Sequence, residues 1–285
     1  MSAPGRRVLA VCADDVGLVE GVAETVVALA ADARLSAASC VANAPGWGPA
    51  AGVLARSKAP LDVGLHFNLT EGAPCSAALR AHWPALPGLA RLLALASVRA
   101  LPLAAIDAEF AAQVDAFATA LGRPPAFIDG HQHVHALPGV REVVIDAIAT
   151  WPELPAVRST GRLRGAGAAF KRWVIEASGG RALERMLIAR GIAHNRILLG
   201  AYDFAAVDYR RLMKSWLAGA PAEGGLLFCH PCAGTGAGVG GAADPIAAAR
   251  LREAAYLAGA AFAADLADAG VTVASTWSTR SSSVD

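Results

Sequence analysis

Along the chain, short apolar runs alternate with longer stretches in which apolar positions recur every three or four residues. "RRVLAVCADD" reads as a buried strand ending in Asp14 and Asp15, and "EGVAETVVALAADARL" as the helix after it. "SAASCVANAPGWG" holds a second strand ending at Asn43 and a Pro-Gly turn. "LDVGLHFNLTEG" is a third, with His66 and Asn68 in its C-terminal half. Residues 85–105 are leucine-rich and broken by prolines, which predicts a helical excursion. Ile106, Phe110, Val114, Phe117 and Leu121 then mark one face of an amphipathic helix. "PPAFIDGHQHV" gives a fourth strand and "GVREVVIDAIA" its helix, and "AVRST", "RILLG", "GGLLFCHP" and "GVTVAST" follow as strand candidates. Strands separated by helices are the pattern of parallel pairs joined by crossovers. With 285 residues, no internal repeat and no linker, the pattern predicts a single α/β domain over residues 1–285. A (β/α) barrel of this length is routinely one unit.

The polar residues gather where those strands end. Asp14 and Asp15, His66 and Asn68, Asp129 and His131, and His230 all lie at or near C-terminal ends of apolar runs. In parallel α/β folds that edge carries the active site. Adjacent residues on a regular strand face opposite sides, so Asp14 and Asp15 can share a site only where the strand breaks into its loop; the competing reading is a helix N-cap. In "FIDGHQHVHAL", His131, His133 and His135 alternate, and an extended chain would point all three the same way beside Asp129. An aspartate with two histidines is a common catalytic metal set. Three imidazoles from one strand rarely reach one ion, so His133 and His135 read as support or substrate contacts. Asp129 reads as the carboxylate that orients a ligand imidazole, and His230 as an acid that protonates a leaving group. Asn68 and Glu71 are candidate hydrogen-bonders to a sugar, and Trp47 is either a stacking surface for one or a packing residue.

Composition narrows the class. The hydrophobic fraction is 55% and the net charge +1, which gives no footprint for nucleic acid or anionic membrane. Val8 to Ala13 is too short for a secretory signal and no run approaches a membrane span, so the expectation is a cytoplasmic protein. Five cysteines, odd in number, argue against a disulfide framework, and Cys229 and Cys232 form a C-x-x-C without the second pair that a structural zinc needs. Gly236, Gly238 and Gly241 fit G-x-G-x-x-G, but too little chain follows for a dinucleotide-binding half, so they read as a loop near the site. No Arg or Lys occurs in 14–20, 64–72 or 127–137, which favours a neutral substrate. Arg250 and Glu253 have the spacing of an intrahelical ion pair.

Taken together, "ADDVGL", "GLHFNLTEG", "DGHQHVH" and "LLFCHP", in this order between residues 8 and 257, resemble the motifs of the YdjC-type carbohydrate deacetylases. That group includes chitooligosaccharide and hopanoid-associated deacetylases. The resemblance implies a TIM-barrel-like fold, often irregular, that removes acetyl groups from N-acetylated sugars with one divalent metal. Carried over residue by residue, it implies Asp15, His66 and His131 as metal ligands and Asp14 as catalytic base. Imidazole ligands lean towards Zn²⁺, while the resemblance permits Mg²⁺. Val16 and Cys232 depart from the family's wording and bear on specificity. The implied chemistry is attack of a metal-activated water on the amide, a divalent ion drawing the pKa of water down towards roughly 7. The implied partner is a small N-acetylated sugar or oligosaccharide, of chitooligosaccharide or glycolipid type, with a homodimer left open. The alternatives are another metal-dependent amidase or esterase on the same barrel, and a non-catalytic sugar-binding protein.

Overall fold

The computed structural model describes residues 7–165, 169–234 and 244–275. Eight parallel strands form one sheet: β1 (Arg7–Val16), β2 (Ala37–Cys40), β3 (Asp62–Phe67), β4 (Phe127–Gly130), β5 (Ala156–Val157), β6 (Ile197–Leu199), β7 (Gly225–Cys229) and β8 (Val271–Val273). Their order is β5-β4-β3-β2-β1-β7-β6, with β8 added to the start of β1. β1 therefore touches three strands, and its run from Leu9 to Val16 is buried throughout. A strand covered on both faces must be continuously apolar, which is why "VLAVCA" does not alternate.

The sheet curls into an irregular barrel. Between β5 and β6 there is no regular ladder; Val157 N–H donates to Ala193 O, Asn195 exchanges two hydrogen bonds with the Ser159 backbone, and Leu163 bridges Leu198. Ala10, Cys12, Phe127, Leu198, Leu226 and Phe228, from four strands, pack together as the filling of the lumen. Gly64 makes room for that filling, since a Cβ there would lie 2.5 Å from the Phe127 ring. Outside, helices such as Val22–Ala31, Leu103–Leu121 and Val140–Ile148 bury their apolar stripes against the strands.

Two local differences from the sequence pattern matter for the site. The helix after β1 starts at Val22 behind Gly21, whose left-handed φ of 83° makes the entry, so Asp14 and Asp15 are not its cap. The fourth strand stops at Gly130, and His131–Ala136 coils into a tight turn with left-handed φ at Gln132 (52°) and His133 (62°). The three histidines therefore do not line one face of an extended chain. Gly130 permits the fold-back, because a Cβ there would sit 2.8 Å from His135 N. The glycine-rich stretch holding Gly236, Gly238 and Gly241 lies outside the described residues.

Candidate metal and catalytic site

A cavity of about 720 Å³ opens over the C-terminal ends of the strands, with Asp14, Asp15, His66, His131 and His230 in its wall. Asp14 and Asp15 both reach it because β1 slips register between Ala13 and Val16, and because Asp15 adopts a left-handed φ of 68°. That conformation is uncommon outside glycine, and the enzyme-like edge of a barrel is where such strain is found.

Asp15, His66 and His131 come together. Asp15 Oδ1 lies 3.0 Å from His131 Nδ1 and 3.5 Å from His66 Nε2, and each of the three offers a ligand atom within 4.8 Å of the others. Their remaining atoms are tied elsewhere. Arg250 Nη2 donates to Asp15 Oδ2 at 2.7 Å, Asp129 Oδ1 takes His66 Nδ1 at 2.6 Å, and Glu71 Oε1 meets His131 Nε2 at 3.0 Å. The His66–Asp129 contact follows from register, since these two residues are direct partners in the β3–β4 ladder. Ser39 adds a hydroxyl, donating to Asp129 Oδ1 at 2.5 Å. Three donor atoms facing one point, with every other atom engaged, is how a preorganised cation site is built; an aspartate and two imidazoles suit a divalent metal.

A second group of potential ligands, Cys12, Asp14 and Asp129, lies deeper. Its cation is already present. The Arg158 guanidinium, fully buried, clamps Asp14 through Nη1–Oδ2 (2.7 Å) and Nη2–Oδ1 (2.6 Å), donates to Cys12 Sγ at 3.2 Å, and is ion-paired to Asp129 Oδ2 at 2.6 Å.

Electrostatics separates the histidines into two kinds. Burial opposes a charged ring at His66 and His131, but the carboxylates around them prevail; Asp129 and Asp14 push His66 up to about 10, and Asp15 and Glu71 push His131 up to about 9. For Asp15 burial likewise loses, to Arg250 and His131, and its carboxyl is held well below the usual range. At His135 and His230 burial wins and both rings fall to about 4. Glu253, whose carboxylate accepts from the His230 backbone N–H and the Tyr202 hydroxyl, is raised by burial to about 7.

The description "YdjC-like protein" belongs to a family model that matches residues 8–268. The chain belongs to the YdjC-like family. It is similar to the chitooligosaccharide deacetylase of Salmonella schwarzengrund (34% identical over 145 residues, 48% of this chain and 54% of that protein). It is also similar to the carbohydrate deacetylase of Homo sapiens (34% over 175 residues, 56% and 52%). The chain thus spans about half the length of the curated relatives it matches. Its fold is that of a solved structure from Enterococcus faecalis V583, provisionally described as a cellobiose-phosphate cleavage protein, with TM-score 0.70, 17% identity and coverage of 95% of this chain and 97% of that one.

Within this YdjC-like barrel the remaining candidates divide. Glu71 and His133 border the cavity, His133 with its ring edge on Phe228. Three others are not in its wall. Trp47 is buried flat against Phe117, 5.6 Å between centroids, with Nε1 donating to Ala116 O. His135 is buried and binds Arg158 O through Nε2 at 2.8 Å. Asn68 is a loop organiser, its Oδ1 accepting from Thr70 and Glu71 N–H and its Nδ2 donating to Asn43 Oδ1 and Glu71 O, and so it presents Glu71. Arg250 and Glu253 are also not paired with each other; Arg250 binds Asp15 and Asp244. Cys229 and Cys232 are free, buried thiols pointing at the Cys12 and Glu20 carbonyls.

Sequence pattern alone does not single out Arg158 or Arg250, and they overturn the picture of strand ends without basic residues. Both arrive from outside the three histidine and aspartate motifs. Position is the one trace Arg158 leaves in the sequence: it directly follows the strand run "AV", as His131 follows β4 and His230 follows β7.

Proposed function

We propose that this chain is a carbohydrate deacetylase that hydrolyses the acetamide of an N-acetylated amino sugar with the help of one divalent metal. The observation that carries the reading is the convergence of Asp15 Oδ1, His66 Nε2 and His131 Nδ1 in the wall of a cavity that Asp14 also borders. Family membership and the names of the relatives supply the substrate class. Asp15, His66 and His131 would hold the ion, which supplies Lewis acidity towards the acetyl carbonyl and lowers the pKa of water. Zn²⁺ and Mg²⁺ both fit the donor types.

The chain's own groups do the rest. Asp129 fixes the His66 tautomer, so that Nε2 and not Nδ1 faces the cluster. Asp14 takes the proton of the attacking water. Its clamp by Arg158 sets its orientation while each oxygen keeps a further lone pair. His230, wedged edge-on between Phe204 and Phe228, protonates the departing nitrogen. Held near 4, it enters the cycle as a neutral ring, so a proton must reach it during the reaction. Glu71 and His133 on the cavity wall are the sugar contacts.

The test is acetate release from N-acetylglucosamine oligomers, with and without chelator. Release that chelation abolishes and added divalent metal restores supports the reading. No release from any N-acetyl sugar, or release indifferent to chelator, refutes it.

A further inference from the structure

Arg250 sits in the first turn of the helix Ala247–Ala258, 2% exposed, and borders the cavity. Its guanidinium divides its bonds between two carboxylates: Nε donates to Asp244 Oδ2 and Nη2 to Asp15 Oδ2, both at 2.7 Å. Asp244 is as buried as Arg250, at 3% side-chain exposure, so the three charges form a closed chain with Asp15 at its inner end. The other Asp15 oxygen, Oδ1, is the one that faces both imidazoles.

We infer that Arg250 is a positioning residue that holds Asp15 as a one-oxygen metal ligand. A carboxylate binds a cation through one oxygen or both, and an unrestrained aspartate beside a divalent ion is free to swing and chelate. Chelation would consume a second coordination position. An ion held by three protein atoms keeps a position for substrate and water, as catalytic sites require. The planar fork of arginine suits the task, since it grips Asp15 and is itself gripped by Asp244 along fixed directions, which a lysine ammonium does not reproduce. A guanidinium this close also subtracts from the ion's binding free energy by like-charge repulsion. Arg250 therefore trades affinity for an open site.

The inference rests on the metal assignment within the deacetylase reading. It is tested first on the unaltered protein, by the crystal structure of the zinc-loaded full chain. Zinc on Asp15 Oδ1 alone, with Oδ2 still on Arg250, supports it; zinc on both oxygens overturns it. Zinc on other residues overturns it together with the metal assignment, whereas acetate release accompanied by a chelating Asp15 overturns this inference alone. The second arm is X-ray absorption of zinc-loaded Arg250→Met and Arg250→Lys, with zinc affinity by competition against a chromophoric chelator. Arg250→Met should show a chelating carboxylate with no loss of zinc affinity, while kcat falls on the order of tenfold or more; Arg250→Lys should fall between. A merely structural Arg250 would instead weaken zinc binding with Asp15 still on one oxygen, and that result overturns the proposal.

Discussion

Asp14 and Arg158 stand 144 residues apart in the chain and meet as a two-pronged ion pair, both prongs at 2.7 Å or less, in a fully buried setting. The same guanidinium neutralises Asp129, the carboxylate behind His66. Removing it deprives Asp14 of its cation and leaves Asp129 with His66 and Ser39 alone. Breaking a buried pair by deleting one partner costs about 3–5 kcal/mol, so Arg158→Leu should lose at least that much stability in urea denaturation. A loss below about 1 kcal/mol would mean that water or another cation reaches Asp14 and Asp129, contrary to the packing described above.

Neighbouring aspartates should behave oppositely on substitution. Asp14→Asn keeps the Asp15, His66 and His131 donors, so its metal content should match the unaltered protein while turnover drops on the order of 10²–10⁴-fold, the usual cost of a lost general base. Ala at Asp15, His66 or His131 should lower metal occupancy itself. Elemental analysis alongside acetate release separates the two outcomes. Full metal in all three Ala variants would sink the ligand set.

Stability of the metal-free protein should peak near pH 6.5. Between roughly pH 4.5 and 6.5 the unfolded chain protonates His135 and His230, which the fold keeps neutral down to about 4. Glu253, raised to about 7, opposes with one proton held by the fold. The unfolded state thus binds one proton more, and stability rises by about 1.4 kcal/mol per pH unit. Above pH 6.5 the sign reverses: the fold keeps protons on His66 and His131 up to about 10 and about 9, the unfolded chain releases them, and stability falls with rising pH. Metal binding requires those imidazoles deprotonated, so a divalent ion should flatten the alkaline decline. Denaturation midpoints from pH 5 to 9, with chelator and with zinc, check both limbs. A chelated protein that gains stability from pH 7 to 9 would contradict the raised imidazoles.

His230→Ala should cripple amide hydrolysis far more than hydrolysis of an activated acetyl ester, because an amine leaves poorly unless protonated and an activated alcohol does not need the help. Metal content should be unchanged. Equal losses on both substrates would reduce His230 to a packing residue between Phe204 and Phe228.

The strand pattern and the C-terminal gathering of Asp14, Asp15, His66, Asp129, His131 and His230 were legible because buried parallel strands are unbroken apolar runs, and a polar residue at their end stands out. Other features were not. The turn at His131–Ala136 depends on left-handed backbone at Gln132 and His133, which non-glycine residues seldom adopt, so alternation wrongly implied an extended chain. Trp47 and Asn68 carry side chains able to bind sugars, and only their packing partners, Phe117 and the Thr70–Glu71 loop, show them committed elsewhere. Arg250 joins the site by tertiary closure, which no local spacing records, and Arg158 shows in the sequence only through its place directly after β5.

Closure of the barrel between β5 and β6 rests on the Val157 N–H bond to Ala193 O, the Asn195 amide and a single bridge at Leu163 instead of a ladder. Such a join opens at lower free energy than the centre of a sheet. Amide exchange should therefore proceed by two routes: Leu198 and Ser159 through partial opening, and Leu9 to Ala13 on β1 only when the whole chain unfolds. Arg158 lies on the strand end beside the join and reaches back to Asp14 on β1. Opening of the seam and loosening of Asp14 are then one event, and whatever tightens one slows exchange at the other.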